Sequence, residues 1–163
     1  MKGLKKSCGQ EEEMFIKHKD GELTHLLPGE RRDCVENVSI FVFSKRQEII
    51  IPVGAAKDEL SLHWGGYCIL RCRLGLPHRF MIRHEEELME GKETERVLGE
   101  IARDILKEEM EESVRTVSNY FDEKKQLEMW EKIETRIKES FLQEGWIQEE
   151  CRPGHFQLRK RGE

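Results

Sequence analysis

The sequence lacks any run of apolar residues long enough to cross a membrane. A membrane-spanning helix needs roughly 18 consecutive apolar residues, and no segment of this chain approaches that length. Residues 1–10 also lack the apolar stretch of a secretory signal peptide. We therefore expect a cytoplasmic protein whose 163 residues suffice to bury a core without metals or disulfide bonds.

Cysteine is present, but not in a pattern that indicates disulfide bonds or a metal site. The five cysteines are an odd number and form no Cys-x-x-Cys pair; they are Cys8, Cys34, Cys68, Cys72 and Cys151. Cys68 and Cys72 would lie about 13 Å apart on one face of a strand, too far for a disulfide bond or a shared metal ion. We therefore expect reduced thiols in the core.

Motifs for catalysis, cofactor binding and nucleic-acid binding are also absent from the sequence. The six histidines show no His-Glu-x-x-His spacing, and His84, which three glutamates follow, is expected in a solvated acidic patch. Gly65-Gly66 is not followed by the Lys-Ser or Lys-Thr of a phosphate-binding loop. The net charge of -5 is opposite to the positive footprint that nucleic acids require. The sequence thus predicts no enzymatic activity, no metal, no cofactor and no nucleic-acid partner.

What the sequence does contain is a long alternating strand from Leu60 to Leu74. Every even-numbered position there is apolar or glycine, so one face is expected to be buried while the face with Arg71 and Arg73 meets solvent or a charged partner. Gly65-Gly66 keeps the alternation in phase and is therefore predicted to bend this strand rather than to end it. Such a half-buried strand is typical of an antiparallel sheet.

Other strand signals precede and follow this strand. A hairpin is predicted around Asp20-Gly21, because glycine accepts the positive φ of a tight turn. The runs 38–43 and 49–53 are predicted to form a second hairpin around Ser44-Lys45-Arg46-Gln47, with Pro52 indicating that the latter strand lies at an edge or is near its own end. Arg152-Pro153-Gly154 predicts a turn within a short terminal hairpin.

Two long amphipathic helices are predicted between these strands. Apolar residues at helical spacing indicate a helix of roughly 25 residues from Thr94. A second helix is expected to begin after Asp122, a plausible N-cap, and to end at Gly145. The residues 78–89 predict a short helix ahead of both. The expected fold class is α+β, with a mainly antiparallel curved sheet and the two long helices packed on one side.

The order of these elements resembles the SPFH superfamily of stomatin, prohibitin and flotillin proteins. That family opens with a Gly-x-Leu…Leu-x-Pro-Gly hairpin, later has an aspartate before a long strand and an Asp-Pro corner with an aromatic, and ends with a Gly-Ile strand after two helices. The corresponding residues here are Gly21-Glu22-Leu23, Leu26-Leu27-Pro28-Gly29, Asp58, Leu76-Pro77, Phe80 and Gly145-Trp146-Ile147. The resemblance covers Met14 to about Leu158, so we expect a single SPFH-like domain over 14–163. The residues before it show no apolar periodicity, which predicts a flexible arm over 1–13.

Three departures from the family pattern shape the functional expectation. Leu76 replaces the aspartate of the corner, no membrane-inserting segment precedes the domain, and no long coiled coil follows it. Family members are typically membrane-associated scaffolds that assemble into rings. The resemblance therefore implies a non-catalytic scaffold or assembly module whose partner is protein, through self-association or a hetero-oligomer.

The sequence offers two kinds of candidate contact residue. Alternating charges can set the register between protein copies, which points to Arg71, Arg73, Glu100, Glu108, Glu111 and Glu112. A basic tail near a cysteine can combine attraction to anionic lipid with acylation, which points to a weak membrane-surface association through Lys2, Lys5, Lys6 and Cys8. The alternative function is a small enzyme or ligand-binding domain with a pocket between sheet and helices near Trp64, Tyr67 and Trp130.

Overall fold

The computed structural model describes residues 4–7, 9–34, 38–57, 62–116 and 123–160. The strands are β1 (Leu4–Ser7), β2 (Glu12–Lys17), β3 (Leu23–Leu26), β4 (Arg31–Cys34), β5 (Ser39–Ser44), β6 (Arg46–Lys57), β7 (Leu62–Leu74) and β8 (Trp146–Lys160). The helices are α1 (Pro77–Arg83), α2 (Glu85–Met89), α3 (Thr94–Thr116) and α4 (Glu123–Gln143).

The strands form antiparallel sheets with the orders β1-β4, β3-β2-β5 and β6-β7-β8. The long helices α3 and α4 follow β7 in the chain and pack against β6 and β8, respectively, on one face of the β6-β7-β8 sheet. The predicted α+β class, with an antiparallel sheet covered by helices on one side, is confirmed.

Strand β7 has the buried face that its alternation predicts. Cys68, Leu70 and Cys72 are buried, and they lie beside the buried Ile49 and Ile51 of β6. We call this the inner face, because α3 and α4 cover it. Burying one face fixes the register, since a slip by one residue would expose this whole apolar set.

The two long helices bury the sides that their apolar spacing predicts. The buried residues of α3 and α4 recur every three or four positions, which places them on one side of each helix; they are Val97, Leu98, Ala102, Ile105, Leu106, Met110, Met129, Trp130, Ile133, Ile137 and Phe141. Gly145 follows α4 with φ of 88°, a conformation that suits glycine and ends the helix as predicted.

The β3-β2-β5 sheet joins the same core through aromatic residues. Phe43 of β5 contacts Phe80 of α1, with ring centroids 5.4 Å apart, and Phe80 also meets Trp146 of β8 at 5.5 Å. The two three-stranded sheets therefore share one large apolar interior, while Met14 and Leu26 form a separate small cluster on the β3-β2-β5 sheet.

The hairpin predicted around Asp20-Gly21 is confirmed. Strands β2 and β3 pair as antiparallel neighbours, and Gly21 has φ of 90°. The turn closes by two hydrogen bonds: the Gly21 N–H donates to the carbonyl of His18 at 2.9 Å, and the His18 N–H donates to that of Glu22 at 2.8 Å.

The prediction of a hairpin around Lys45 is wrong. Strand β5 pairs with β2, whereas β6 pairs with β7, so the chain turns a corner at Lys45 from one sheet into the other. No residue from 44 to 47 has a positive φ, the conformation that the tightest hairpin turns require. The corner is held because the Lys45 N–H donates to the Glu11 carbonyl at 2.8 Å and the Leu74 N–H donates to the Lys45 carbonyl at 2.7 Å. The edge position predicted from Pro52 is confirmed, since β6 is an outer strand of its sheet.

The prediction of a terminal hairpin is also wrong, because β8 continues through Pro153-Gly154 beside β7. The extra length is taken up by a register shift between Gly65 and Tyr67, while His155 adopts φ of 51°. A Cβ on Gly66 would lie 2.6 Å from the Cα of Phe156, so the bend needs glycine there. Strand β7 itself runs unbroken through Gly65-Gly66, as predicted.

Two further predictions differ from the structure at their boundaries. The predicted helix over 78–89 is divided at His84 into α1 and α2. The predicted flexible arm over 1–13 contains β1, which pairs with β4, and the start of β2. Pairing with β4 supplies partners for backbone groups that a free arm would leave to solvent. Asp58, Leu60 and the proposed N-cap Asp122 lie outside the described residues.

Candidate functional site

The β6-β7-β8 sheet leaves its second face uncovered by α3 and α4. Antiparallel register places residues from the three strands together on this side, and we call the set the outer face: Glu48, Ile50, Pro52, Tyr67, Ile69, Arg71, Glu150 and Arg152. A sheet with one packed face usually shows polar residues on the other. The outer face departs from that rule at its centre.

The centre of the outer face is apolar. Ile50 lies opposite Ile69, and Pro52 lies opposite Tyr67. Ile50 is 55% exposed and Tyr67 is 43% exposed. Single exposed apolar residues need no explanation, but neighbours on one rigid sheet form a patch of the kind that marks contact sites.

A row of charged residues borders this apolar centre. Arg71 Nε donates to Glu48 Oε2 at 3.0 Å, and Arg71 also lies 3.4 Å from Glu150 Oε2. Arg152 Nε donates to Glu150 at 2.5 Å. The row therefore alternates in sign across the three strands. Exposed ion pairs of this kind contribute about 0–1 kcal/mol each, so exchanging an internal partner for one on another molecule costs little.

The second predicted strand arginine, Arg73, lies one pleat further along β7. It is exposed and stands opposite Arg46 of β6. Arg46 approaches Glu149 at 4.0 Å. Arg71 and Arg73 therefore lie together on the outer face side, as the alternation predicts.

The predicted helix carboxylates lie on a different side of the molecule. Because α3 packs on the inner face, its charged residues face away from the outer face and cannot form one contact surface with Arg71. Lys92 bonds Glu100 at 2.6 Å, and the ammonium group lowers the pKa of this carboxyl.

Other helix carboxylates also have partners within the chain. Arg136 of α4 donates to Glu108 at 2.8 Å and to Glu109 at 2.9 Å, and these carboxylates raise the pKa of Arg136. Glu112 pairs with Arg115, and Glu111 borders a shallow groove beside β6. The Arg136 pairs join α3 to α4 and give Glu108 and Glu109 a structural role.

The four residues of the predicted membrane contact are only partly described. Lys5 and Lys6 belong to β1, opposite Asp33 and Arg32 of β4, whereas Lys2 and Cys8 lie outside the described residues. Within the part of the chain that the structure describes, no helix is long and apolar enough to span a membrane.

An ionic cluster around the buried Glu144 is a feature that sequence reasoning missed. Glu144 is 7% exposed, and Arg83 binds both of its carboxylate oxygens at 2.9 and 3.0 Å. His84, expected in a solvated patch, instead lies half-buried between Glu144 and Glu87. The cluster joins the α1–α2 junction to the end of α4. Its only sequence signal is an acidic residue directly before the helix-ending Gly145.

Cys68 and Cys72 are reduced and buried, as predicted, and Cys151 is reduced and half-buried. Cys8 and the side chain of Cys34 lie outside the described residues. Burial raises the pKa of Cys72 to about 12, with a further contribution from the charge of Glu149. Hydrogen bonding to Cys151, 3.9 Å away between sulfurs, and burial raise the pKa of Cys68. These thiols therefore stay protonated and are poor nucleophiles.

Two of the residues proposed for an alternative pocket, Tyr67 and Trp130, are not brought together. Tyr67 points to the outer face, whereas Trp130 lies under the inner face. The side chain of Trp64 lies outside the described residues. Among the residues that the structure describes, no group of three or more His, Cys, Asp or Glu side chains is arranged to hold a metal ion.

In comparisons with known proteins, no family model matches this sequence, and no curated protein is significantly similar to it.

Proposed function

We propose that this chain is a non-catalytic assembly module, similar to an SPFH domain, that associates with a second copy of itself through the outer face. The observation that carries the proposal is the exposed apolar centre formed by Ile50, Pro52 and Tyr67 on a rigid sheet. Covering it would remove apolar surface from water, which is the main favourable term in association.

The charge pattern favours a second copy over an unrelated partner. A two-fold axis through a surface brings the same residues together from both molecules. The outer face carries both signs, with Arg71 and Arg152 beside Glu48 and Glu150. A two-fold axis that passes between Glu48 and Arg71 sets each carboxylate against the arginine of the other copy, whereas an axis through Arg71 brings like charges together, so the charges favour one register.

The test is the molar mass of the full chain by size-exclusion chromatography with light scattering. We expect a concentration-dependent oligomer whose stability changes with salt, because exposed charge pairs are screened within about 10 Å at moderate ionic strength. Ile50→Lys places a charge in the apolar centre and is expected to yield monomer.

Leu142→Lys is the matched control. Leu142 is also exposed, but it lies on α4, away from the outer face. It is expected to leave the oligomer unchanged. A strictly monomeric chain at all concentrations, or equal effects of both substitutions, would contradict the proposal.

Peripheral membrane association is a second candidate function, favoured by Lys5 and Lys6 near the start of the chain. Each lysine near anionic lipid contributes about 1 kcal/mol, so binding is expected to be weak and to fall with salt. The test is co-sedimentation with vesicles containing phosphatidylserine. Replacing both lysines by serine is expected to reduce binding, and unchanged binding would exclude this role.

A further inference from the structure

Two thiols of the β6-β7-β8 sheet lie in direct contact. The Sγ atoms of Cys68 in β7 and Cys151 in β8 are 3.9 Å apart on the inner face, which leaves no room for an atom between them. Cys72 lies on the same face of β7, but its thiol donates to the carbonyl oxygen of Gln47 instead. Two thiols in contact are the arrangement from which a disulfide bond can form, so this pair has a chemistry that neither cysteine has alone.

The two cysteines of the pair differ in their access to solvent. Cys68 is fully buried, whereas Cys151 lies on an outer strand of the sheet and is half-buried. A molecule as small as hydrogen peroxide therefore approaches the pair from the side of Cys151. Hydrogen bonding to Cys151, burial and the charge of Cys151 raise the pKa of Cys68, so Cys68 keeps its proton and donates it toward the Cys151 sulfur. Cys151 is thus the sulfur that meets an oxidant, and Cys68 is the thiol that reacts with the product.

The register of the two strands determines how stable a disulfide bond would be here. Cys151 lies opposite Leu70 and Cys68 lies opposite Pro153, so the two cysteines are diagonal neighbours. The Cα atoms of diagonal neighbours are about 7–8 Å apart, whereas disulfide bonds usually join Cα atoms about 4.4–6.8 Å apart. Closing the bond therefore requires β8 to move slightly relative to β7. Strained disulfide bonds are reduced more easily than structural ones, so this bond is expected to be reversible.

The sheet can accommodate a small movement at this place. Register shifts interrupt the pairing of β7 and β8 on both sides of the cysteines, between Gly65 and Tyr67 and between Arg71 and Cys72. Such irregularities bend a strand and locally disrupt its hydrogen-bonded ladder. Strand β8 also has β7 as its only neighbour among the described strands. The segment between the two shifts can therefore adjust while the rest of the sheet stays paired.

We propose that Cys68 and Cys151 are a reversible oxidation site, at which hydrogen peroxide converts the two thiols into a disulfide bond between β7 and β8. The Cys151 sulfur attacks one peroxide oxygen, the O–O bond breaks, and a sulfenic acid and water form. The Cys68 sulfur then attacks the Cys151 sulfur, the S–O bond breaks, and the departing oxygen takes the Cys68 proton and leaves as water. Direct contact compensates for the weak nucleophilicity of a protonated thiol. The two thiols lose two electrons in total, and these reduce the peroxide to two molecules of water.

Mass spectrometry can identify the bond, because trypsin places each of the five cysteines in a separate peptide. The reduced full chain is treated with hydrogen peroxide, its remaining thiols are alkylated, and the monomer is recovered from a non-reducing denaturing gel and digested. We expect the peptide 58–71 to be joined to the peptide 139–159, with a mass lower than their sum by two hydrogen atoms. Millimolar reduced glutathione, added before alkylation, is expected to restore the two separate peptides.

Substitutions separate the roles of the two sulfurs. Cys151→Ala is expected to leave Cys68 unmodified, because the oxidant reaches the buried thiol only through Cys151. Cys68→Ala is expected to stop at the Cys151 sulfenic acid, which dimedone traps. Cys72→Ala is the matched control, because it removes a buried thiol from the same face of β7. It is expected to form the bond at the rate of the parent protein.

Four results would overturn the proposal. These are a Cys151 thiol that peroxide leaves unchanged, an oxidised Cys151 without a link to Cys68, equal amounts of trapped sulfenic acid in the parent protein and in Cys68→Ala, and a bond that glutathione leaves intact. None of them bears on association through the outer face, since the pair lies on the opposite side of the sheet.

Discussion

Because its thiols are buried, the protein is expected to lose stability in alkaline solution, and replacing Cys72 is expected to make this loss smaller. Burial raises the pKa of Cys72 from 9.0 to about 12. Below about pH 9 the thiol is protonated in both the folded and the unfolded state, so it adds no pH dependence. Above that pH the unfolded chain releases the proton while the folded chain keeps it, and the free energy of unfolding must fall.

The magnitude follows from the separation of the two pKa values. Each pH unit between them corresponds to about 1.4 kcal/mol, so Cys72 alone removes about 2–3 kcal/mol between about pH 9 and pH 11. Cys68, whose pKa is raised by its hydrogen bond with Cys151 and by burial, adds in the same direction. Native domains have only about 5–15 kcal/mol to lose.

The assay is urea denaturation followed by tryptophan fluorescence at several pH values. Cys72→Ala is expected to be less stable at neutral pH by about 1 kcal/mol, because it leaves a small cavity, yet to lose stability less steeply as pH rises. Val97→Ala, a buried position without an ionisable group, is the control and should retain the steep slope. Parallel slopes in the parent protein and Cys72→Ala would refute the reasoning.

Two further predictions concern the Glu144 cluster and the bend at Gly66. Glu144→Ala leaves Arg83 and His84 without their shared carboxylate and is expected to lower the free energy of unfolding by about 2 kcal/mol. The loss is no larger because Arg83 is 51% exposed and partly rehydrates. Chemical denaturation measures this loss, and a loss smaller than that of Arg83→Ala would contradict the central role of Glu144. Gly66→Ala places a Cβ against the backbone of β8 and is expected to lower the free energy of unfolding by more than about 3 kcal/mol. In Gly21→Ala the Cβ meets nothing within 4 Å, so only backbone strain of about 1 kcal/mol is expected. Equal shifts of the melting temperature in these two variants would refute the steric argument.

The parts of the fold that could be predicted from sequence are those determined by neighbouring residues. The alternation along β7, the Asp20-Gly21 turn and the stripe of α3 each depend on local periodicity or on one φ angle, and each appears in the structure. Pairing between distant strands is not local. Lys45 and Pro153-Gly154 both resemble turns, but the partner strand decides whether the chain reverses or continues.

The candidate sites show the same division. Arg71 could be assigned to a solvent-facing side from alternation alone, but the apolar centre beside it depends on the register of β6 against β7. Trp130 fits an apolar stripe, and nothing in that stripe indicates that its N–H has no acceptor among the described residues. In the sequence, Glu144 looks like any surface glutamate, because its contacts with Arg83 and His84 form only when the distant α1–α2 segment packs beside it.

The corner at Lys45 makes one residue a backbone joint between both three-stranded sheets, since its amide bonds toward β2 and its carbonyl accepts from the end of β7. Because this connection is short and hydrogen-bonded on both sides, a movement of one sheet is expected to move the other as well. Amide protons on both sides of the corner should consequently exchange with solvent in a single cooperative opening, and a molecule seated on one sheet would slow that exchange in the other.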